Sequence, residues 1–314
     1  MSSARQLSTG CAAGVAALGL GACGSSKPSA SQSAKTGAAT IQQAANVSGA
    51  AKGVRTAQTI TVNTPALGAM TVDAAGKFNA ASKQGQINLG IKIPGLKSLG
   101  GGRLAKYSNL TSTLDITPGD FYAKVPSELA PVVGKYTGNK PWVKLSLATL
   151  GKTTGVPAFG SLLQGSNSTT DPTQALKILD ANAKSVKKVG TETIDGVATT
   201  HYHAVMDLTK LKGLKPAVKK VLSQELAKAG QNHMTAVPED VWIDNANLVR
   251  RIKSSQTVQS QSGSTPVSMQ IDFLAYGAQP TPKLPAASQV FDLGPLLAKY
   301  GHQAGGQMSP LGGA

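Results

Sequence analysis

Two histidines come nearest, by residue type and spacing, to a chemical site. His201 and His203 lie two positions apart in a segment whose residues favour a strand, so their side chains share one face. Two such histidines could in principle bind a metal ion, but the spacing indicates no third ligand. Structural or surface histidines are the favoured interpretation, and we predict no metal site.

The motifs of the common enzyme classes are absent from the sequence. It contains no GxSxG elbow, no P-loop, no HExxH pair and no GxGxxG after a predicted strand. Its 15 Asp and Glu residues form no obvious acid–base pair. An enzyme is therefore poorly supported, and no cofactor is predicted.

The N-terminus has the pattern of a signal peptide, predicted over residues 1–22. Arg5 is followed by an apolar stretch at 11–20 that is too short to span a bilayer. Both cysteines of the chain, Cys11 and Cys23, fall in its first 23 residues. The rest of the chain therefore offers no disulfide framework and no cysteine metal site.

The sequence Leu20-Gly21-Ala22-Cys23 resembles a bacterial lipobox. The resemblance implies that Cys23 is acylated on sulfur, with fatty acids such as palmitate, and becomes the mature N-terminus. Two or three acyl chains anchor a protein stably where a single chain does not. The predicted location is the extracytoplasmic face of the cell membrane. The alternative is ordinary signal-peptidase cleavage beside an incidental cysteine.

The strongest local signal in the folded part is a hairpin between residues 183 and 208. Asp195-Gly196 separates two β-prone runs, and an Asp-Gly pair in this setting is typical of a two-residue turn with positive φ at both positions. A hairpin alone is marginally stable in water, so it must belong to a larger sheet.

Alternating apolar residues predict that sheet, with roughly ten strands joined mostly by short turns. The clearest alternation is at 86–93, and further strands are predicted at 54–63, 70–78, 114–116, 121–124, 141–145, 240–244, 248–254 and 267–273. Helices are predicted at 36–51, 172–182 and 216–229, with a short turn near Leu129. The fold class is therefore α+β, an antiparallel meander or barrel-like sheet with a few helices.

Composition divides the chain into four segments. The predicted signal peptide is followed by a flexible, Ser/Ala/Lys-rich linker at 23–36 that carries the lipidated cysteine. One domain is predicted at 37–300 and a disordered tail at 301–314. The Gly-rich segments 94–103 and 151–170 are predicted loops.

The chain is strongly basic, with a formal net charge of +16. Such a field favours anionic partners, of which an anionic membrane surface is the one predicted. Nucleic acid is not predicted, because the basic residues are scattered and only 4% of residues are aromatic.

The predicted sheet has more apolar surface than the predicted helices can cover. We expect strand side chains to point into one cavity, closed by the helices near 172–182 and 216–229, with an acyl chain supplying the missing contacts. An ordinary filled core is the alternative. The candidate lipid-binding residues are Ile60, Val62, Ile87, Leu89, Ile91, Leu176, Leu179, Val218, Leu222, Met269, Ile271 and Phe273.

Five segments in a fixed order resemble the actinobacterial LppX/LprG-type lipoproteins, which are similar in fold to the lipoprotein carriers LolA and LolB. They are GNKPWVKL (138–145), DPTQALKIL (171–179), VGTETIDGVATTHYHAVMDL (189–208), PEDVWIDNANLVRRI (238–252) and IDFLAYG (271–277). The resemblance covers roughly residues 38–297.

The resemblance implies a half-open antiparallel β-barrel whose helices cover its concave face and enclose a hydrophobic cavity for acyl chains. It implies carriage of lipid or lipoglycan across the cell envelope, with a membrane transporter as a further partner, and we expect a monomer. A binding or sensing module of the same fold, without transport, is the alternative function. The resemblance carries no catalytic residues.

Overall fold

The computed structural model describes residues 30–64, 67–146, 183–207, 236–260 and 263–296. The predicted signal peptide, Cys23, the predicted tail and the predicted helices at 172–182 and 216–229 lie outside these residues. So do four of the candidate lipid-binding residues, Leu176, Leu179, Val218 and Leu222.

The described chain is dominated by strands. The α-helices with described bounds are α1 (Ala30–Gly49) and α2 (Ala130–Thr137), and short 3-10 helices span Pro94–Lys97, Leu99–Gly102, Ala105–Tyr107 and Ala287–Gln289. The strands are β1 (Gly53–Thr64), β2 (Gly68–Asn79), β3 (Gln84–Lys92), β4 (Asn109–Ile116), β5 (Asp120–Lys124), β6 (Trp142–Ser146), β7 (Ala183–Ile194), β8 (Val197–Asp207), β9 (Ala236–Asp244), β10 (Val249–Ser260), β11 (Gly263–Tyr276) and β12 (Val290–Asp292).

All twelve strands form one sheet, in the order β12-β6-β5-β4-β3-β2-β1-β11-β10-β9-β8-β7. Neighbouring strands are antiparallel, except that β12 runs parallel to β6. Within the described residues β12 and β7 each have one neighbour, so the sheet is not closed. The predicted mostly antiparallel sheet with few helices is confirmed.

The predicted hairpin joins β7 to β8. Asp195 and Gly196 have φ of 48° and 80°, and Ile194 pairs with Val197 across the turn. Positive φ at both central residues is the type I′ geometry, whose twist matches that of the two strands. The predicted turn is confirmed.

The two faces of the sheet differ in character. Alternate residues of a strand point to opposite faces, and partners on adjacent strands share a face. We call the face that carries Val241, Ile252, Phe273 and the side chains in register with them the apolar face. The opposite face, which carries Thr59, Asp73, Asn88, Asp240 and their partners, is the polar face.

Helix α1 packs on the apolar face at the end of the sheet that holds β7 to β10. Its buried residues follow helical spacing, with Ile41, Ala44 and Ala45 between 0% and 2% exposed. Ser48 continues this stripe, and its Oγ accepts a hydrogen bond of 3.1 Å from the backbone N–H of Val249. The core formed in this way contains Ile41, Ala44, Ala45, Val54, Val186, Ala204, Val241, Ile243, Val249, Ile252 and Phe273.

Two local predictions need correction, and one strand, β12, was not predicted. Helix α1 begins at Ala30, so residues 30–36 belong to the helix and not to the predicted linker. Alanine is the best helix former, and a Ser/Ala-rich composition therefore does not exclude a helix that can pack on a sheet. The predicted loop at 94–103 contains two 3-10 helices. Strand β12 was not predicted, because its three residues are too few to show an alternating pattern.

No helix among the described residues is both long enough and apolar enough to cross a membrane.

We predict that Gly196→Val destabilises the protein by about 1–3 kcal/mol, because a β-branched residue is strained at positive φ. Gly190→Val in the same hairpin is the matched control. Gly190 lies in β7 without a positive φ, and nothing lies within 4 Å of the Cβ that the substitution adds. Urea unfolding of both variants checks the prediction, and equal stabilities of Gly196→Val and the parent would contradict it.

Candidate functional site

The eight described candidate lipid-binding residues all lie on the apolar face. Met269 pairs with Ile60, and Val267 pairs with Val62. Two further rows run across β11, β1, β2 and β3. One row is Phe273, Thr56, Gly76 and Ile87, and the other is Ile271, Gln58, Ala74 and Leu89. Ile91 follows by way of Val72. The register therefore brings these residues together, while their role in lipid binding stays a prediction.

Burial separates one of these residues from the other seven. Phe273 is 2% exposed and belongs to the core beneath α1, so it packs against protein. Ile60, Val62, Ile87, Leu89, Ile91, Met269 and Ile271 are only half-buried. The apolar face thus has a packed part beside α1 and a partly exposed part centred on β1 to β3.

The partly exposed part extends further than the sequence reasoning predicted. Leu110 and Leu114 of β4 are partners of Ile91 and Ile87, and beyond them Ala123 and Val143 continue the same face. The alternation of β4 is visible in the sequence. The sequence does not show that β4 pairs with β3, because strand pairing is set by the three-dimensional fold.

Polar side chains interrupt the apolar face on β9 and β10, and the sequence reasoning missed them. Glu239 pairs with Ser254, and Gln256 follows two residues later on the same face. Burial raises the pKa of Glu239 to about 7. The sequence predicted this strand only from residue 240, whereas β9 begins at Ala236. Glu239 therefore fell outside the predicted alternation and was not assigned to the apolar face.

The two histidines lie on the polar face, in a network of carboxylates. His201 Nε2 and His203 Nδ1 each lie 2.9 Å from the same oxygen, Oδ1 of Asp240. His201 Nδ1 lies 3.0 Å from Oε1 of Glu192. Both ring nitrogens of His201 and one of His203 thus lie within hydrogen-bonding distance of carboxylate oxygens.

The indole of Trp242 completes this network. Its ring stacks on His201 with centroids 4.3 Å apart, and its Nε1–H donates to Oε2 of Glu192 at 3.0 Å. Burial alone would raise the pKa of Asp240, but hydrogen bonds from His203 and His201, with their charge, outweigh it and lower that pKa. The network ties β7, β8 and β9 together.

In this arrangement the histidine nitrogens contact carboxylates of neighbouring strands. Both nitrogens of His201 and one of His203 face carboxylate oxygens. Over the described ranges, no three His, Cys, Asp or Glu side chains are grouped so as to hold a metal ion. These contacts fit the structural interpretation of the two histidines, and the absence of a metal site stays a prediction.

Two surface depressions have linings that the structure describes. One of about 630 Å³ lies over the middle of β1 to β5, and its lining includes Thr59, Asp73, Asn88 and Leu89. The other, of about 550 Å³, lies at the ends of β1, β9, β10 and β11 and includes Gln256. Most side chains around both belong to the polar face, so neither is the predicted apolar cavity.

Comparisons with known sequences find distant relatives. The chain matches no family model. It is 28% identical over 190 residues to an uncharacterized 31.2 kDa protein of Streptomyces griseus. It is 26% identical over 185 residues to a Streptomyces coelicolor protein described as a candidate lipoprotein. Each alignment covers 59% of this chain and 58% or 52% of the relative, so the chain spans little more than half the length of the curated relatives it matches.

Several solved structures resemble the chain. Lipoprotein LppX from Mycobacterium tuberculosis and LprF from Mycobacterium bovis are each 15% identical to it, with TM-scores of 0.42 and 0.44. These likenesses cover 79% and 81% of this chain and 98% of each of the two proteins. A LolA superfamily protein from Nitrosomonas europaea is 9% identical over 78% of this chain and 94% of its own, with a TM-score of 0.28. With TM-scores below 0.5, these likenesses do not define the fold or the function of this chain.

Proposed function

We propose that the protein is a membrane-anchored lipoprotein that binds the acyl chains of a lipid against its apolar face. In this proposal the open sheet curves into a half-open barrel, and the apolar face is its concave side. The bound lipid or lipoglycan is carried across the cell envelope. We propose no enzymatic activity and no cofactor.

One observation carries the proposal: a row of apolar side chains that crosses five adjacent strands. The row consists of Met269, Ile60, Val72, Ile91 and Leu110, which are successive partners in register. At about 4.8 Å per strand it is roughly 20 Å long. All five side chains are half-buried, and none belongs to the core beneath α1.

An acyl chain suits such a row because it is long, narrow and entirely apolar. Each methylene removed from water gains about 0.8 kcal/mol, so even partial contact along the row is favourable. Patches of this kind on a monomer commonly mark an interaction site. A bound chain would cover side chains that no described element covers.

The anchoring part of the proposal is supported by the sequence. Cys23 follows a signal-peptide pattern in a lipobox-like setting, and one relative is described as a candidate lipoprotein. Acylation there would place the protein at a membrane, where its basic surface favours anionic lipids. A donor or acceptor membrane for lipid transfer would then be in reach.

Leu89→Trp tests the acyl-chain site. The cross-strand partners of Leu89 on the apolar face are Ala74 and Ser112, both small, so the face has room for an indole beside them. A small-to-large change is tolerable beside a void and costly in a filled core. We expect Leu89→Trp to lower the lipid that co-purifies, per mole of protein, at a nearly unchanged melting temperature.

Ile252→Trp is the matched control, because Ile252 is 2% exposed in the core beneath α1. It should unfold or strongly destabilise the protein by overpacking. Mass spectrometry of the extracted lipid and thermal unfolding are measured on all three proteins. A parent that carries no lipid, together with a Leu89→Trp variant that unfolds like Ile252→Trp, would show an ordinary core and contradict the proposal.

Cys23→Ala tests the anchor. We expect the variant to leave the membrane fraction, or to stay unprocessed, because the acylated sulfur is lost. Cys11→Ala removes the other cysteine, within the signal peptide, and should leave anchoring intact. Cell fractionation with immunoblotting reads both variants. A Cys23→Ala protein that is processed normally and still sediments with membranes would rule out lipid anchoring at this residue.

A further inference from the structure

A polar pair lies beside the proposed acyl-chain row. Glu239 of β9 pairs with Ser254 of β10, which in turn pairs with Met269, the first residue of the row. Glu239 therefore lies two strands, or roughly 10 Å, from Met269 on the same face. Gln256 is the diagonal neighbour of Glu239 and pairs with Val267 on its other side. Two long polar side chains thus lie on the same face near the residue where the row begins.

Apart from Ser254 and Gln256, the neighbours of Glu239 on the apolar face are apolar. Its neighbours on the same face are Ala204 across β8, Val237 and Val241 along β9, and Ser254 across β10. Ala204 and Val241 are fully buried. Burial is the cause of the raised pKa of about 7, so near neutral pH the carboxyl group is present in both protonation states. No hydrogen bond or ion pair to Glu239 occurs within the described chain.

The side chain of Gln256 also has a polar atom without a hydrogen-bond partner. Its Oε1 is buried and has no hydrogen-bond partner, and it is the one buried side-chain polar atom in this condition among the described residues. Leaving a buried polar group unpaired is costly, and natural proteins rarely do so without a reason. A buried, unpaired amide oxygen and a carboxyl group without a partner, both on the apolar face, suggest that something other than the described residues supplies hydrogen bonds there.

A hydroxyl group meets the needs of both residues. It donates to an ionised carboxylate and accepts from a protonated one, so it suits Glu239 in either state. It likewise suits the amide of Gln256 whichever of its two polar atoms faces the ligand. A phosphate meets them poorly, because its negative charge would face the carboxylate of Glu239 in desolvated surroundings.

We propose that Glu239 and Gln256 form a polar subsite that binds the hydroxyl-bearing head of an uncharged lipid, while the acyl chains of that lipid lie along the row from Met269 to Leu110. The inference rests on the proposed function, since it needs an acyl chain on the apolar face. It adds selectivity to that function: neutral hydroxylated lipids are bound in preference to anionic phospholipids.

Two lipids that differ only at the head group test the subsite. The full mature protein, freed of co-purified lipid, is incubated in detergent micelles with equimolar dioleoylglycerol and dioleoylphosphatidic acid. Native mass spectrometry then gives the ratio of the two complexes. We expect the parent protein to favour dioleoylglycerol by about tenfold, the scale of one well-made hydrogen bond together with an avoided charge repulsion.

The variants separate the two side chains. Gln256→Leu and Glu239→Leu should each lower the ratio severalfold while the protein still carries acyl lipid. Glu239→Gln keeps the hydrogen-bonding capacity and removes the charge, so it should admit phosphatidic acid without losing dioleoylglycerol. Gln84→Leu is the matched control, because Gln84 lies at the start of β3 on the polar face, in register with Asn79. Its ratio should equal that of the parent.

The outcomes distinguish this inference from the function on which it rests. If the parent binds both lipids equally, or if Gln256→Leu and Glu239→Leu leave the ratio unchanged, the subsite is wrong and acyl-chain binding stands. If the folded parent binds neither lipid, acyl-chain binding fails and the subsite fails with it. Melting temperatures of all variants show whether a lost preference reflects lost folding.

Discussion

The pairing register of the sheet is the constraint on which the rest of the structure depends. A slip of one residue in any strand would exchange its two faces, moving apolar side chains such as Ile60 and Leu89 into water and polar ones such as Asp73 inside. The type I′ turn at Asp195-Gly196 fixes the register of β7 on β8. The side-chain network of Asp244 does the same between β9 and β10, since its Oδ1 accepts from the backbone of Ala246 and Leu248. Turns of defined geometry thus decide which side chains can meet a ligand.

Given that register, helix α1 divides the apolar face. Its narrow stripe of alanine, isoleucine and serine lets it lie close to the sheet, and Gly37 approaches Val186 so closely that an added Cβ would lie 2.8 Å from a methyl carbon. This close packing produces a dense core at the β7 to β10 end, where Val241 and Val249 are fully buried. A single helix of this width cannot also cover β2 to β4. Among the described residues the cover is therefore uneven, and the row from Met269 to Leu110 stays half-buried.

Much of this organisation could be predicted from the sequence, because it is local. Alternation identified most strands, the Asp-Gly pair identified the type I′ turn, and helical spacing at Ile41 and Ala44 identified part of α1. The features that the sequence did not reveal depend on pairing. Only the identity of neighbouring strands shows that Leu110 extends the row of Ile91. The same holds for the position of Glu239 on the apolar face beside Gln256. The start of α1 was also missed, since tertiary packing and alanine propensity outweighed a linker-like composition.

The polar groups on the two faces of the sheet differ in how far the described residues pair them. On the polar face, His201, Asp240, Glu192 and Trp242 satisfy one another at hydrogen-bond distances of 2.9 to 3.0 Å. That network ties three strands together. On the apolar face, no described residue pairs with Glu239, and the buried Oε1 of Gln256 has no hydrogen-bond partner, although an unpaired group is more costly when buried. In our proposal, the hydroxyl-bearing head of the bound lipid supplies these missing hydrogen bonds.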